Sequence, residues 1–333
     1  MIQLVGSPVD EFHAELSRLY AAASAAALGD HHDVGFAYVA PGGQWQFPES
    51  LDAAALAEAE PVPALAGIAE LTLAEPDLVV PQMFCRPGMT SYRALLDVLG
   101  LPFVGNTAQV MANTADKAVA RALVAARGVA VPPGYLVSDA HDVTLDLPVV
   151  VKPAGSDNSV GVSLVSDRAQ LVGAITRAAG FGSDVLVESF IPLGREVRCG
   201  VLEIDDQLVC LPLEEYALDA PIRLPADKLD RTGSGALRLV ASDAGRSWIV
   251  PADDPIVEPV WHAARACYRA LGCRHYGLFD FRIDPDGAPW FLEAGPYCSF
   301  APSSVIAKMA AAQGVPLPDL FDTLCREARR EAV

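Results

Sequence analysis

Short apolar runs alternate with alanine-rich amphipathic stretches along most of the chain, a pattern that predicts strands and helices in mixed order. IQLVG reads as a first strand and EFHAELSRLYAAASAAAL as the helix that follows it. DVGFAYVA predicts a second strand, turning at PGGQ. Helical pieces within AALAEAEPVPALAGIAEL lead to a buried strand, PDLVVPQMF. SYRALLDVLG is an amphipathic helix stopped by Gly100, and LPFVGN is the expected closing strand. This rhythm predicts a Rossmann-like unit over residues 1–106.

A helix is then expected from Thr114, as its N-cap, to about Arg127, with Gly128 ending it and Pro132 and Pro133 preventing continuation. LPVVVKPAGSDNSVGVSLV reads as strand, polar loop and strand, and DVLVESFI as another strand. REVRCGVLEIDDQLVCLPL is a hairpin about DDQ. Residues 214–255 are rich in Asp, Pro, Gly and Arg with weak periodicity; they are too long for an ordinary connection and are expected to act as a lid. After the helix PIVEPVWHAARACYRALG, GLFDFRI and PWFLEA flank DPDG as a second hairpin, and PLPDLFDTLCREARREAV closes the chain as a helix. The fold class is therefore α/β, with α+β character in the C-terminal part.

Composition narrows the field. A chain of 333 residues, 52% hydrophobic, is long enough for two or three cores. Its net charge of −18 argues against nucleic acid or an anionic membrane as partner, but not against nucleotides, which need only a few local cations. The start, MIQLVGSPVD, has neither a basic nor a long apolar region, so no signal peptide is expected, and no apolar run approaches transmembrane length. The seven cysteines are scattered and odd in number, which suits free thiols in a reducing cytoplasm. The six histidines form no zinc-binding spacing.

Against this background certain polar residues stand out. Asp280 and Glu293 interrupt the apolar pattern near the centres of the two hairpin strands. Carboxylates there are costly unless they pair with basic side chains or hold a metal. Lys152 ends an apolar strand before a loop of Gly, Ser, Asp and Asn, a set that suits nucleotide phosphates and equally a hairpin with a solvated lysine. In VLVESFIPLGREVRCG, either the backbone after Glu188 reads an adenine edge and Glu196 takes ribose hydroxyls, or the two glutamates are ordinary surface acids. Lys117 sits in a helix first turn, where the dipole disfavours a cation, so it either serves an anion from elsewhere or is simply exposed.

The ordered set is far more specific than its members. DK, then VKP with SVGV, then VESFI and REV, a lid-like stretch, and DFR with FLEA follow one another in an order that resembles the ATP-grasp fold. Within it, the chain is similar to the D-alanine–D-alanine ligase family from about Val80 to Gly314, with fold similarity over the whole length. LEAGPYCSFAPSSVIAKMAAAQG looks like the family's Glu-x-Asn segment followed by a Ser-Leu pair on a helix start, with Glu293 and Ser304 at the family spacing. The resemblance implies a Rossmann-like unit (1–106), a central ATP-grasp subdomain (107–187) and a C-terminal one (188–333). It implies that Lys117 and Lys152 contact ATP phosphates and that Ser159 closes over them. Glu188 would then take the adenine amino group, with Phe190 and Ile191 lining the base, and Glu196 would hold the ribose. Lys228 matches the family's lid lysine, and Asp280 and Glu293 match its magnesium ligands, with manganese as a substitute ion.

Three departures accompany the likeness. Leu278 stands where the family has an arginine that steadies the acyl phosphate; Arg282, on the same strand face, is the expected replacement, with a structural ion pair as the alternative. Gly295 stands where the family has a metal-binding asparagine. MFCRPGMTSYR replaces the family's His-Gly…Gly-Glu-Asp-Gly segment. Arg86, Arg198, Ser303, Ser304 and Glu11 are the candidate substrate contacts. The expected activity is an ATP- and magnesium-dependent ligation of an amino acid amine to an activated carboxylate with altered specificity, in the cytoplasm, with the family's dimer as the expected assembly. The alternatives are a ligase acting on a non-peptide carrier, such as imine formation on a mycosporine-type compound, a cyclising ligase, or a non-catalytic ATP-binding paralogue.

Overall fold

The strand Ile2–Gly6 lies between two parallel neighbours, Gly35–Val39 and Val79–Pro81, and the antiparallel pair Trp45–Gln46 closes one edge of this sheet. Only a glycine fits at position 6. Its φ is +99°, and a Cβ would lie 2.1 Å from the carbonyl oxygen of Val39. The chain leaves this corner into the helix Glu11–Leu28, which Ser17 ties to the sheet by accepting from the Gly6 amide at 2.7 Å and donating to the Gln82 carbonyl at 2.7 Å. The first turns of the helix are thereby held beside the carboxyl ends of the parallel strands, where ligands bind in such sheets. The expected strand LPFVGN contributes only a single bridge, Phe103 to Val79. Its Gly105 and Asn106 are drawn away by the buried His275 and by the backbone of Tyr276.

The computed structural model describes residues 1–28, 32–156, 159–182, 184–218, 220–222, 229–231, 237–239 and 246–331. The helix expected from Thr114 begins at Lys117 and runs to Ala125, and a further helix, Ala108–Thr114, precedes it. Thr114 ends the first, its hydroxyl donating to Val110 O, and Asp116 caps the second by accepting from the amides of Ala118 and Val119. A carboxylate also complements the helix dipole, which a threonine does not.

Next comes a four-stranded antiparallel sheet in the order Gly134–Val137, Val185–Ser189, Val149–Pro153 and Ser163–Val165, covered by the helix Leu171–Ala179. The larger C-terminal sheet is centred on Arg195–Ile204. Its hairpin to Gln207–Cys210 turns on Asp205 and Asp206, both at positive φ, as a two-residue turn requires. Tyr276–Ile283 runs along the other side and pairs with Pro289–Ala294. The stretch expected as a lid supplies sheet strands at both ends: Glu214–Tyr216 pairs with Arg195–Ile204, and Ser247–Ile249 pairs with Glu214–Tyr216. Within it Leu229–Arg231 and Leu237–Leu239 pair with each other.

The N-terminal sheet and the C-terminal sheet share a core in which Leu78, Val80 and Val104 meet Tyr276, Phe300 and Phe321. Polar ties cross the same boundary. The buried amide of Asn106 donates to the carbonyls of Tyr276 and Pro296, and Gln82 donates to Ser299 O. All seven cysteines are buried and free, as expected. Among the described residues no helix is long and apolar enough to cross a membrane.

Candidate active site

The hairpin that carries Asp280 and Glu293 is built by local sequence. Asp284 accepts from the amides of Asp286 and Ala288 and from the indole of Trp290, and Gly287 supplies the positive φ of the turn. From the turn the pairing runs Ile283 with Pro289, Arg282 with Trp290 and Phe281 with Phe291, and then shifts so that Asp280 pairs with Glu293. One extra residue, Leu292, is taken up at that bulge. Without it Asp280 would oppose a leucine; with it the two carboxylates are direct neighbours.

A cleft of about 110 Å³ runs along one side of the hairpin. Lys152, Glu188, Glu196 and Ile191 line it, together with Lys117, Ser159, Asp280, Arg282, Leu292 and Glu293. Glu188 is buried and takes two cations, Lys152 Nζ at 2.5 Å and Arg121 Nε at 3.1 Å. Arg121 follows Lys117 by one helical turn, so one helix face delivers both cations. Lys117 itself donates to Ser156 O in the polar loop. Arg282 reaches the buried Glu196, the carbonyl of Ile191 at 3.1 Å and the carbonyl of Pro221 at 2.9 Å, and its guanidinium lies 5.3 Å from the Phe190 ring.

A second cavity of about 260 Å³ opens on the other side of the hairpin. Arg198, Leu278, Gly295, Ser303, Ser304 and Lys308 line it on one side, and residues of the first helix line it on the other. Lys117, Asp280 and Glu293 belong to both cavities. Arg198 donates from Nε to Asp280 Oδ1 at 3.1 Å, lies 3.8 Å from Glu214 and faces the Tyr216 ring at 5.1 Å. Burial acts to lower its pKa, but the charges of Asp280, Tyr216, Glu214 and Glu293 outweigh that and raise it, so this arginine is held as a cation. Ser304 caps the helix Val305–Ala312 by accepting from the Ala307 amide. Cys298 lies against Ser304, and burial pushes its thiol up to about 11.

The structure thus brings together Lys117, Lys152, Ser159, Glu188, Ile191, Glu196, Arg282, Asp280 and Glu293 along the smaller cleft, and Arg198, Ser303 and Ser304 along the second cavity. Phe190 stacks on Arg282 rather than lining the cleft. Glu11 and Arg86 are exposed and line neither cavity. Lys228 lies outside the described residues. Sequence reasoning passed over Arg121, whose spacing from Lys117 was the available signal, and Leu292, for which an alternating pattern offers none.

Two opposed carboxylates at the wall of an open cavity fit a magnesium ion, which takes one or two carboxylates and completes its shell with water and phosphate oxygens. Gly295 adds no oxygen, and among the described residues no group of three or more His, Cys, Asp or Glu side chains is arranged to hold an ion alone.

The comparisons with known proteins agree with this architecture. Residues 136–326 match the family model described as D-ala D-ala ligase C-terminus. A D-alanine–D-alanine ligase from an Anaeromyxobacter species is 31% identical over 247 residues, which is 72% of this chain and 75% of the relative. Among solved structures, the D-Ala:D-Ser ligase of Enterococcus faecalis superimposes with a TM-score of 0.78 at 22% identity, covering 98% of both chains. The D-alanine–D-alanine ligase of Bacillus anthracis complexed with ATP superimposes with a TM-score of 0.73 at 19% identity, covering 99% of this chain and 98% of that one. The fold is the ATP-grasp fold of these enzymes.

Proposed function

The chain belongs to the D-alanine–D-alanine ligase family, and from that premise we propose that it is an ADP-forming ligase joining an amino acid amine to a carboxylate activated by ATP. One observation carries this reading: Lys117, Asp280 and Glu293 line both the nucleotide-like cleft and the neighbouring cavity. A phosphoryl group passing from ATP to a carboxylate has to cross such a shared wall.

In the first step a carboxylate oxygen attacks the terminal phosphorus, the bond to ADP breaks, and an acyl phosphate forms. In the second the amine nitrogen attacks the acyl carbon, phosphate leaves and the amine gives up a proton. Lys117 and Lys152 serve the phosphates, with Ser159 and its loop beside them, and neutralise charge that builds during transfer. Glu188, paired with Lys152 and Arg121, accepts from the adenine amino group. Glu196 takes the ribose, with Ile191 against the base, and Arg282 holds that segment in place through Glu196 and Ile191 O. Asp280 and Glu293 would hold magnesium, or manganese in its stead, which when bound supplies charge neutralisation at the phosphates. Arg198, Ser303 and Ser304 face the substrates. The grouping of strands supports three units, with the second boundary moved from 187 to beyond Ser189, because the strand Val185–Ser189 pairs as a whole within the central sheet.

The family includes a D-Ala:D-Ser ligase as well as D-Ala–D-Ala ligases, so a change of substrate within one architecture has precedent. Leu278, Gly295 and, from MFCRPGMTSYR, Phe84 and Met89 line the second cavity, which supports altered specificity with nucleotide chemistry retained. The test is ADP release with ATP and magnesium over a panel of amino acids, with mass spectrometry of the product. Amine-dependent ADP formation and a condensed product are expected; no amine-dependent release with any acceptor would favour a non-catalytic ATP-binding protein.

A further inference from the structure

The larger cavity is divided by polarity. Its charged side chains are Arg198, Asp280, Glu293 and Lys308 from the unit that carries the hairpin, and Lys117 from the helix Lys117–Ala125. The N-terminal unit contributes Phe12, Leu16 and Tyr20 from one face of the helix Glu11–Leu28, and Phe84 and Met89 from the segment after Val79–Pro81. The polar groups the N-terminal unit adds are the His13 imidazole, whose Nδ1 is engaged by Asp10 at 2.8 Å, and the Tyr20 hydroxyl.

The apolar wall is assembled, not incidental. Tyr20 packs edge-on to Phe84 at 5.2 Å, and Phe84 packs edge-on to Tyr297 at 6.0 Å, so an aromatic row bridges the two units across the cavity. The spacing of Phe12, Leu16 and Tyr20, one helical turn apart each time, keeps all three on one face, beside the buried Ala14, Ser17, Ala21 and Ser24 stripe through which Ser17 ties the helix to the sheet. Phe84 and Met89 belong to MFCRPGMTSYR, the segment in which the chain departs from its relatives' polar pattern. A side chain as small as a methyl group would leave this row facing water, whereas a large apolar one would cover it.

Resting on the ligase reading above, we infer that one substrate of this enzyme is an amino acid with a bulky apolar side chain, in the class of leucine, isoleucine or phenylalanine. Its charged backbone groups lie toward the shared wall of Lys117, Asp280 and Glu293, and its side chain lies along Phe12, Tyr20 and Phe84. Each methylene buried in such a pocket separates substrates by roughly tenfold or more in kcat/KM.

The experiment compares ADP release driven by the D and L forms of alanine and serine, and by glycine, with release driven by the D and L forms of leucine, isoleucine and phenylalanine. The bulky set is expected to exceed alanine by at least tenfold in kcat/KM. The Phe84→Asn variant should cut that advantage at least tenfold, and Phe12→Ser serves the same purpose if the first variant does not fold. Binding of ATP with magnesium to the variants reports separately on the cleft, which neither residue lines. If small amino acids drive release as well as or better than bulky ones, the inference is overturned while the ligase reading stands. If no amino acid of either set drives release, both fall.

Discussion

Arg198 and Asp280 stand opposite each other on neighbouring strands, and the guanidinium Nε donates to Asp280 Oδ1 at 3.1 Å. The arginine therefore offsets a carboxylate that a divalent cation would also claim. Arg198→Met keeps the stem and removes the charge, leaving Asp280 and Glu293 with less compensation; the expected loss is about 3 kcal/mol of stability. Because a bound cation can take over that role, magnesium should raise the melting temperature of the variant more than that of the parent. Equal responses to magnesium in thermal melts would contradict the arrangement.

Glu293 owes its position beside Asp280 to the bulge at Leu292. Glu293→Gln preserves shape and removes charge, so turnover is expected to fall at least roughly a hundredfold with the fold retained. ADP release together with circular dichroism checks this; a variant with near-parental turnover removes the metal assignment.

Arg282 is committed to Glu196, Ile191 O and Pro221 O, contacts that lie along the cleft proposed for the nucleotide. Arg282→Lys cannot reproduce the forked contacts. The expected result is a KM for ATP raised about tenfold with kcat little changed. A fall in kcat at constant KM would instead put Arg282 at the transferred phosphoryl group.

Lys152 shares Glu188 with Arg121. Lys152→Ala is expected to weaken ATP binding about tenfold or more while Arg121 keeps Glu188 paired, so the melting temperature without nucleotide should change less than the affinity does. Calorimetric titration with ATP measures the first and a thermal melt the second; unchanged affinity would remove the phosphate role.

Burial raises the thiol of Cys298 to about 11 and that of Cys325 to about 12. Raised folded values mean that stability is intact below the unfolded thiol pKa, near 8.5. It is lost as pH climbs from there through the folded values, because the unfolded chain releases its protons first. The urea midpoint should therefore fall between pH 8 and pH 10.5, and iodoacetamide should label neither Cys298 nor Cys325 of the native protein at pH 8. Rapid native labelling of Cys298 would show that the thiol is not held as described.

Much of the architecture was legible in the chain. The helix Glu11–Leu28, the DPDG and DDQ hairpins, and the strands around Lys152 and Glu188 follow from local periodicity and turn chemistry. Elements whose formation depends on distant partners were less legible. LPFVGN is apolar enough for a strand, yet His275 and Tyr276 take its polar groups. Glu214–Tyr216 has little strand pattern, yet Arg195–Ile204 recruits it as a sheet neighbour.

The sequence by itself determined which chemical groups the protein owns and which short elements carry them, because those depend on neighbours a few residues away. Only the tertiary structure decided which groups meet: the bulge that turns Glu293 to Asp280, the diversion of Arg282 to Glu196, the arrival of Arg121 at Glu188, and the aromatic wall from a remote helix. An alternating pattern states which face of a strand a residue occupies. Register between strands and the approach of one sheet to another come from the sum of many hydrogen bonds and packing contacts across the whole chain, and no local pattern encodes that sum.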